Sequence, residues 1–180
     1  MSVIALIILL PVMLIVAIGV RFTSRGPIFF SQERVSYDGN PFKIYKFRSM
    51  TTDAEKDGPA WTTPGDSRVT KIGKFLRSTS LDELPQLFNV LKGDMSMVGP
   101  RPERPVYIEQ FKERVPHYML RHKVPAGITG WAQVHGWRGD TSIDKRVKFD
   151  LYYIENWSLF LDFKILILTI FKGLKNTNAY

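Results

Sequence analysis

Val3-Ile4-Ala5-Leu6-Ile7-Ile8-Leu9-Leu10-Pro11-Val12-Met13-Leu14-Ile15-Val16-Ala17-Ile18-Gly19-Val20 is a run of 18 residues without a charge. As an α-helix it extends roughly 27 Å at 1.5 Å per residue, just enough for the hydrocarbon core of a bilayer. A cleavable signal peptide places basic residues before its apolar run and a small-x-small site after it. Here Arg21 and Arg25 come after the run and no such site follows. Pro11 stands at the centre. It lacks an N–H and its ring meets the preceding turn, so it predicts a break or kink. Unpaired backbone groups are not tolerated in hydrocarbon. The run therefore reads as a re-entrant helix over residues 1–22 that dips into one leaflet and returns, with a cytoplasmic domain over 23–180.

The chain has 180 residues, enough for one core. Lys and Arg number 25 against 17 Asp and Glu, a net charge of +8. Such an excess suits nucleic acid, anionic lipid or a phosphorylated substrate. No nucleic-acid-binding motif accompanies it, which removes the first. There is no cysteine, so disulfides and thiolate metal sites are excluded. His117, His122 and His135 lack zinc-ligand spacing, and no phosphate-binding glycine loop or nucleophile elbow is present.

Beyond the apolar run the pattern predicts an α+β domain, mostly helical. Ile28–Arg34 and Pro41–Arg48 alternate around Asp38-Gly39 and read as a small β-hairpin. Thr51–Ser67 is a polar loop, long enough to be a lid. Helices are predicted over Val69–Leu76, Leu81–Leu91 and Val106–Val115. Val124–Gly139 reads as a glycine-rich loop. Ile143, Val147, Leu151 and Ile154 recur at helical spacing, with Thr141 or Ser142 as cap. Trp157–Phe171 is apolar but carries Asp162 and Lys164, with Lys172 and Lys175 beyond. It reads as an interfacial amphipathic helix over 157–172.

The chemistry is concentrated around Ser80-Leu81-Asp82-Glu83-Leu84-Pro85. Ser80 and Glu83 have the spacing of a capping box. Pro85 argues instead for Asp82 as the cap, since Pro85 then falls where no N–H is needed. A carboxylate at a helix N-terminus stays ionised, with room for a phosphate beside it. An ionised carboxylate can also attack phosphorus. Spacing alone leaves both roles open. Arg77 precedes the pair, and Arg101 lies between Pro100 and Pro102, where flanking prolines stiffen it. Guanidinium forks pair bidentately with phosphate. Lys46, Arg48, Arg138 and Arg146 are further basic candidates.

With these residues in view, the sequence resembles the monotopic phosphoglycosyl transferases, the bacterial sugar transferase family. The matching stations run from Gly26-Pro27-Ile28-Phe29-Phe30 and Gln32-Glu33-Arg34 through Tyr45-Lys46-Phe47-Arg48-Ser49-Met50 and Leu81-Asp82-Glu83-Leu84-Pro85-Gln86. They continue through Gly93-Asp94-Met95-Ser96, Gly99-Pro100-Arg101-Pro102, Gly127-Ile128-Thr129-Gly130-Trp131 and Asp150-Leu151-Tyr152-Tyr153. The resemblance implies a ping-pong enzyme at the cytoplasmic face of the bacterial inner membrane. It would take hexose-1-phosphate from a UDP-sugar to polyprenyl phosphate and release UMP. Asp82 would be the nucleophile and Glu83 its catalytic partner, both near Mg²⁺. Arg77, Arg101, Lys46, Arg48 and Arg138 would hold phosphate. The stretch from Asn156-Trp157-Ser158 to Asn178-Ala179-Tyr180 resembles the glucose-1-phosphate branch. A homodimer is compatible with all of this. The rival reading is a membrane-anchored basic scaffold that binds anionic lipid and turns nothing over.

Overall fold

The computed structural model describes residues 2–56, 58, 60, 62–63 and 65–173. Lys175 and the Asn178-Ala179-Tyr180 tail lie outside them. Helix α1 runs from Ser2 to Thr23. It is the one helix among the described residues long and apolar enough to cross a membrane, with a mean hydropathy of 3.2. The expected break at Pro11 does not occur, and helix continues on both sides of the proline. Packing accounts for this. Met13, Val16 and Val20, on the turns after Pro11, are buried with Phe47 and Leu76. Each such side chain contributes about 1.5–3 kcal/mol on burial, enough to outweigh one missing ladder bond. The outward face stays bare, with Ile4, Ile7, Ile8, Ile15 and Ile18 exposed.

Strands β1 (Phe29–Val35) and β2 (Pro41–Phe47) form the expected hairpin. They pair antiparallel, from Phe29 opposite Phe47 to Val35 opposite Pro41. Asp38 (φ 53°) and Gly39 (φ 81°) turn the chain between them. Arg48, at the end of β2, reaches back to α1. Its guanidinium donates to the Arg25 carbonyl (2.5 Å), the Ser24 carbonyl (2.8 Å) and the Ser24 hydroxyl (2.9 Å). Gly26 makes room for this, because its φ of +122° suits glycine and a Cβ there would collide with Arg48.

Helix α2 spans Lys71–Thr79, capped by the Thr70 hydroxyl on the Gly73 N–H. The single helix expected over Leu81–Leu91 is instead two pieces. Ser80 is left-handed (φ 57°), Leu81–Glu83 is one 3-10 turn, and α3 starts only at Gln86 and ends at Lys92. Asp82 therefore caps no helix, and its side chain accepts no capping bond. Helix α4 covers Pro105–Arg114.

The glycine-rich stretch contains more order than its composition suggests. Strand β4 (Gly127–Thr129) pairs parallel with β3 (Ser96–Val98), and the short helix α5 (Trp131–Val134) follows. The glycines permit backbone contact. A Cβ on Gly127 would meet the Gly99 nitrogen, and one on Gly130 the Gly99 carbonyl oxygen. Composition read this as a loop because the strands hold three residues each and their pairing is long-range.

Helix α6 (Ile143–Glu155) is capped by the Ser142 hydroxyl on the Lys145 N–H. Helix α7 spans Leu159–Gly173. One side of α7 packs Leu161 and Ile165 against Val98, Val134 and Tyr153. The other exposes Leu159, Phe160, Phe163, Ile167, Ile170 and Phe171. An apolar surface of that extent, at α7 and α1 together, marks a place where water is excluded by something else.

Candidate active site

The hairpin, the 3-10 turn and the Pro100–Pro102 segment enclose a cavity of about 470 Å³. The loop after Met50 forms another wall through Thr51, Ala54, Glu55 and Thr62. Nine basic side chains line the cavity among the described residues, against four acidic ones, Glu55, Asp82, Glu83 and Glu103. The expected residues Lys46, Arg48, Arg77, Asp82, Glu83, Arg101 and Arg138 all lie on its wall.

The two adjacent carboxylates have opposite surroundings. Glu83 is fully engaged. Arg101 forks onto it, Nη2 to Oε1 at 2.6 Å and Nη1 to Oε2 at 3.3 Å, and Lys46 donates to Oε1 at 2.8 Å. Burial alone would raise the Glu83 carboxyl, but Arg101 and then Lys46 hold it well below the usual carboxylate range. Asp82 is only 8% exposed, yet accepts no hydrogen bond from any described residue. Burial pushes it up to about 6, Lys46 opposes the rise and the Glu83 charge adds to it. At neutral pH it is still largely ionised. Its two oxygens are left for whatever enters the cavity.

Two of the cations are similarly uncommitted. Arg77 donates to the Thr62 hydroxyl (2.9 Å) and Arg138 to the Ser80 hydroxyl (3.3 Å). Neither is in an ion pair among the described residues. Burial lowers the pKa of both, although the Asp82 and Glu83 charges partly offset it. Two desolvated guanidinium groups without a carboxylate are costly, and an anion arriving between them would remove that cost. Arg48, by contrast, has its guanidinium on the Ser24 and Arg25 carbonyls, so its donors chiefly tie β2 to α1.

A site of this kind suits phosphoryl transfer. It offers a free carboxylate as nucleophile, unpaired guanidinium groups for phosphate, and a second carboxylate that organises the cations. The sequence comparisons agree. The family model for bacterial sugar transferases matches residues 1–176. This chain belongs to the bacterial sugar transferase family. Among its relatives, the UDP-glucose:undecaprenyl-phosphate glucose-1-phosphate transferase of Klebsiella pneumoniae is 54% identical over 179 residues, 97% of this chain and 38% of the relative. The transferase of the same name in Escherichia coli is 51% identical, covering 97% of this chain and 39% of the relative. The UDP-N-acetylgalactosamine-undecaprenyl-phosphate N-acetylgalactosaminephosphotransferase of Aeromonas hydrophila is 49% identical, covering 94% and 40%. The chain thus spans about two-fifths of the length of these curated relatives.

In this member of the family a layer of buried ion pairs, of which only Arg146 is a basic candidate from sequence, adjoins the site, with Glu103 and Arg146 on the cavity wall and Arg121 and Asp150 outside it. Glu103 is 3% exposed and accepts from Arg146 at 2.5 Å. Arg121, 1% exposed, forks onto Asp150 with Nε at 3.0 Å and Nη2 at 2.7 Å. The same Nη2 donates to the Arg101 carbonyl at 2.9 Å. Arg146 and Asp150 are four apart on the buried side of α6, beside Val147 and Tyr153. Charged residues on an apolar helix face are a signal that sequence offers, here for the pairing of Asp150 as well as for Arg146.

Proposed function

We propose that this chain transfers a hexose-1-phosphate, glucose-1-phosphate by its relatives' names, from a UDP-sugar to undecaprenyl phosphate, and that UMP is released. This would be the first membrane step of exopolysaccharide or capsule assembly, on the cytoplasmic face of the bacterial inner membrane. The observation that carries the reading is Asp82, a buried carboxylate with free oxygens beside two unpaired guanidinium groups. A lipid-binding scaffold has no use for that carboxylate.

An Asp82 oxygen attacks the β-phosphorus of the UDP-sugar. The bond from that phosphorus to the bridging oxygen breaks, and the electron pair leaves with UMP. The product is a sugar-phosphoryl aspartate. An oxygen of undecaprenyl phosphate then attacks the same phosphorus, the bond to Asp82 breaks, and the carboxylate is restored. No net proton is needed in either half. Arg77 and Arg138 hold the phosphoryl oxygens, while Glu83 keeps Arg101 and Lys46 beside them.

The donors are compatible with Mg²⁺ at Asp82. Mg²⁺ binds through one or two carboxylates plus substrate phosphate, and among the described residues no cluster of three or more ligand side chains exists. Glu83 would contribute only the lone pairs that Arg101 and Lys46 leave free. Bound there, the ion would neutralise charge on the transferring phosphoryl group and the leaving UMP.

The exposed faces of α1 and α7 support a membrane-seated domain. The free part of α1 enters one leaflet, and α7 lies in the interface. The test is a panel of UDP-sugars with undecaprenyl phosphate in detergent, scored for UMP. UDP-glucose is expected to be turned over ahead of UDP-N-acetylgalactosamine. A quenched reaction without acceptor should carry a hexose-phosphate mass on the peptide containing Asp82. No UMP from any UDP-sugar overturns the transferase reading, and no adduct, with kinetics that require both substrates at once, overturns the covalent route.

A further inference from the structure

Arg101 is gripped on more than its Glu83 side. Its Nη1 also donates to the Gln133 side-chain oxygen at 3.2 Å. The Gln133 amide nitrogen in turn donates to the Ile128 carbonyl at 3.3 Å. The second bond fixes which way the amide faces, because a carbonyl can only receive from nitrogen. The oxygen must therefore point at Arg101. Gln133 lies on α5, directly after the Gly99–Gly130 contact that brings β4 against the start of the Pro100–Pro102 segment. It is absent from the cavity wall, so it touches Arg101 from behind.

We propose that Gln133 is a positioning residue. It holds the Arg101 guanidinium in the plane of the Glu83 carboxylate, and because it is neutral it does so without competing for that fork. A carboxylate in its place would offer Arg101 a rival partner. An apolar residue would leave Nη1 with the long 3.3 Å bond to Glu83 alone. This inference rests on the phosphoglycosyl transfer reading above.

The charges around the group are several. Glu83 faces Arg101, Lys46 on β2 and Arg138. Asp82 faces Lys46, Glu83, Arg77 on α2, and Arg101. Arg101 also faces Glu103, and Arg34 on β1 lies within its field. A new carboxylate at position 133 adds one negative charge to this set, next to Arg101.

The experiment compares the wild type, Q133L and Q133E for UMP release across pH, with melting temperature measured alongside and D82N as the blank. Q133L should keep its melting temperature within a few degrees and lose about 10- to 100-fold in kcat, the cost of a loosened catalytic group. Its KM for UDP-sugar should change less than its kcat. Q133E should retain a folded protein and also lose kcat, since its carboxylate draws the Arg101 fork away from Glu83. Wild-type kcat in Q133L or in Q133E overturns the proposal. So does a loss in both that follows melting temperature alone. If the wild type releases no UMP above D82N, the transferase reading itself has failed, which is a different result from an active wild type with indifferent Gln133 variants.

Discussion

Glu83 takes both arms of the Arg101 guanidinium, at 2.6 and 3.3 Å, and by doing so leaves its neighbour Asp82 unpaired. Two adjacent carboxylates in one cationic cavity would ordinarily share the cations between them. Here, on the 3-10 turn Leu81–Glu83, only Glu83 has hydrogen-bond partners among the described residues. One acid organises charge, and the other is left with its lone pairs available.

Asp82→Asn tests that division twice. An amide cannot form an acyl phosphate, so turnover should fall by roughly 10⁴-fold or to background. Stability should move the other way. The folded pKa of Asp82 is raised to about 6, above its unfolded value. The native state therefore holds the proton more tightly, and stability declines as pH rises from the unfolded pKa through the folded one. At pH 7 the charge costs on the order of 3 kcal/mol, and Asn removes it. The expected outcome is a dead variant with a higher melting temperature than wild type in the same detergent. A dead variant that melts lower would point to a structural role.

The same shift sets a pH dependence. Protonated Asp82 is no nucleophile, so kcat/KM should fall tenfold per pH unit below about pH 6. Glu83, held well below the usual range, should not titrate in that window. A single ionisation on the acid limb of the kcat/KM profile is expected. A limb near pH 4 would mean that Asp82 is not buried in the working enzyme.

Glu83→Gln and Arg101→Lys distinguish charge from geometry. Gln at position 83 keeps the shape but leaves Arg101 and Lys46 buried without their carboxylate, and an unpaired buried charge costs about 3–5 kcal/mol. Arg101→Lys keeps the charge and loses the fork. The lysine variant should retain more melting temperature than Arg101→Ala, yet recover only a small part of its activity, measured as UMP release. Full activity in Arg101→Lys would show that a point charge suffices.

Much of this was legible before the structure. The hairpin, α2, α4, α6 and α7 follow from alternation and helical spacing, and the site stations from local motifs. What was missed is non-local. The pairing of β3 with β4 depends on Gly99, Gly127 and Gly130 meeting across the chain, and no local pattern announces it. The Arg121–Asp150 pair joins a 3-10 turn to α6. Asp82 caps no helix because a left-handed Ser80 ends the preceding helix and α3 begins only beyond Pro85, at Gln86, a break that Pro85 alone does not reveal.

Asp150→Asn follows from that missed pair. Arg121 and Asp150 are 1% exposed each, so removing one partner strands a buried guanidinium. The loss should be about 3–5 kcal/mol, seen as a lower melting temperature. Arg121 also holds the Arg101 carbonyl at 2.9 Å, so activity should fall further than the unfolded fraction explains. Equal loss of activity and folded protein would confine the pair to stability.

The last prediction concerns how α1 meets the membrane. Its 22 residues extend about 33 Å at 1.5 Å per residue, enough to cross a core of about 30 Å. Not all of that length is free. From Met13 onward its buried face lies on Phe47 and Leu76, beside α2, whose Lys71 and Lys74 are exposed. A full crossing would draw those lysines toward hydrocarbon, where each costs about 2.5–3.5 kcal/mol. Leu6 and Val12 also pack on this cluster, so the part that projects clear of the domain is shorter than a dozen residues, under about 18 Å, within one leaflet. The N-terminal end of α1 should therefore lie within the leaflet next to Arg21 and Arg25 and not reach the far face. The chain has no cysteine, so Ser2→Cys gives a single reporter. An impermeant thiol reagent should leave it unlabelled in intact cells and label it once detergent has dissolved the bilayer. Labelling from outside would mean that α1 spans and that the domain sits differently from this account. Pro11→Leu restores the missing N–H, worth about 3 kcal/mol, and should leave the labelling unchanged, because α1 is already continuous across Pro11.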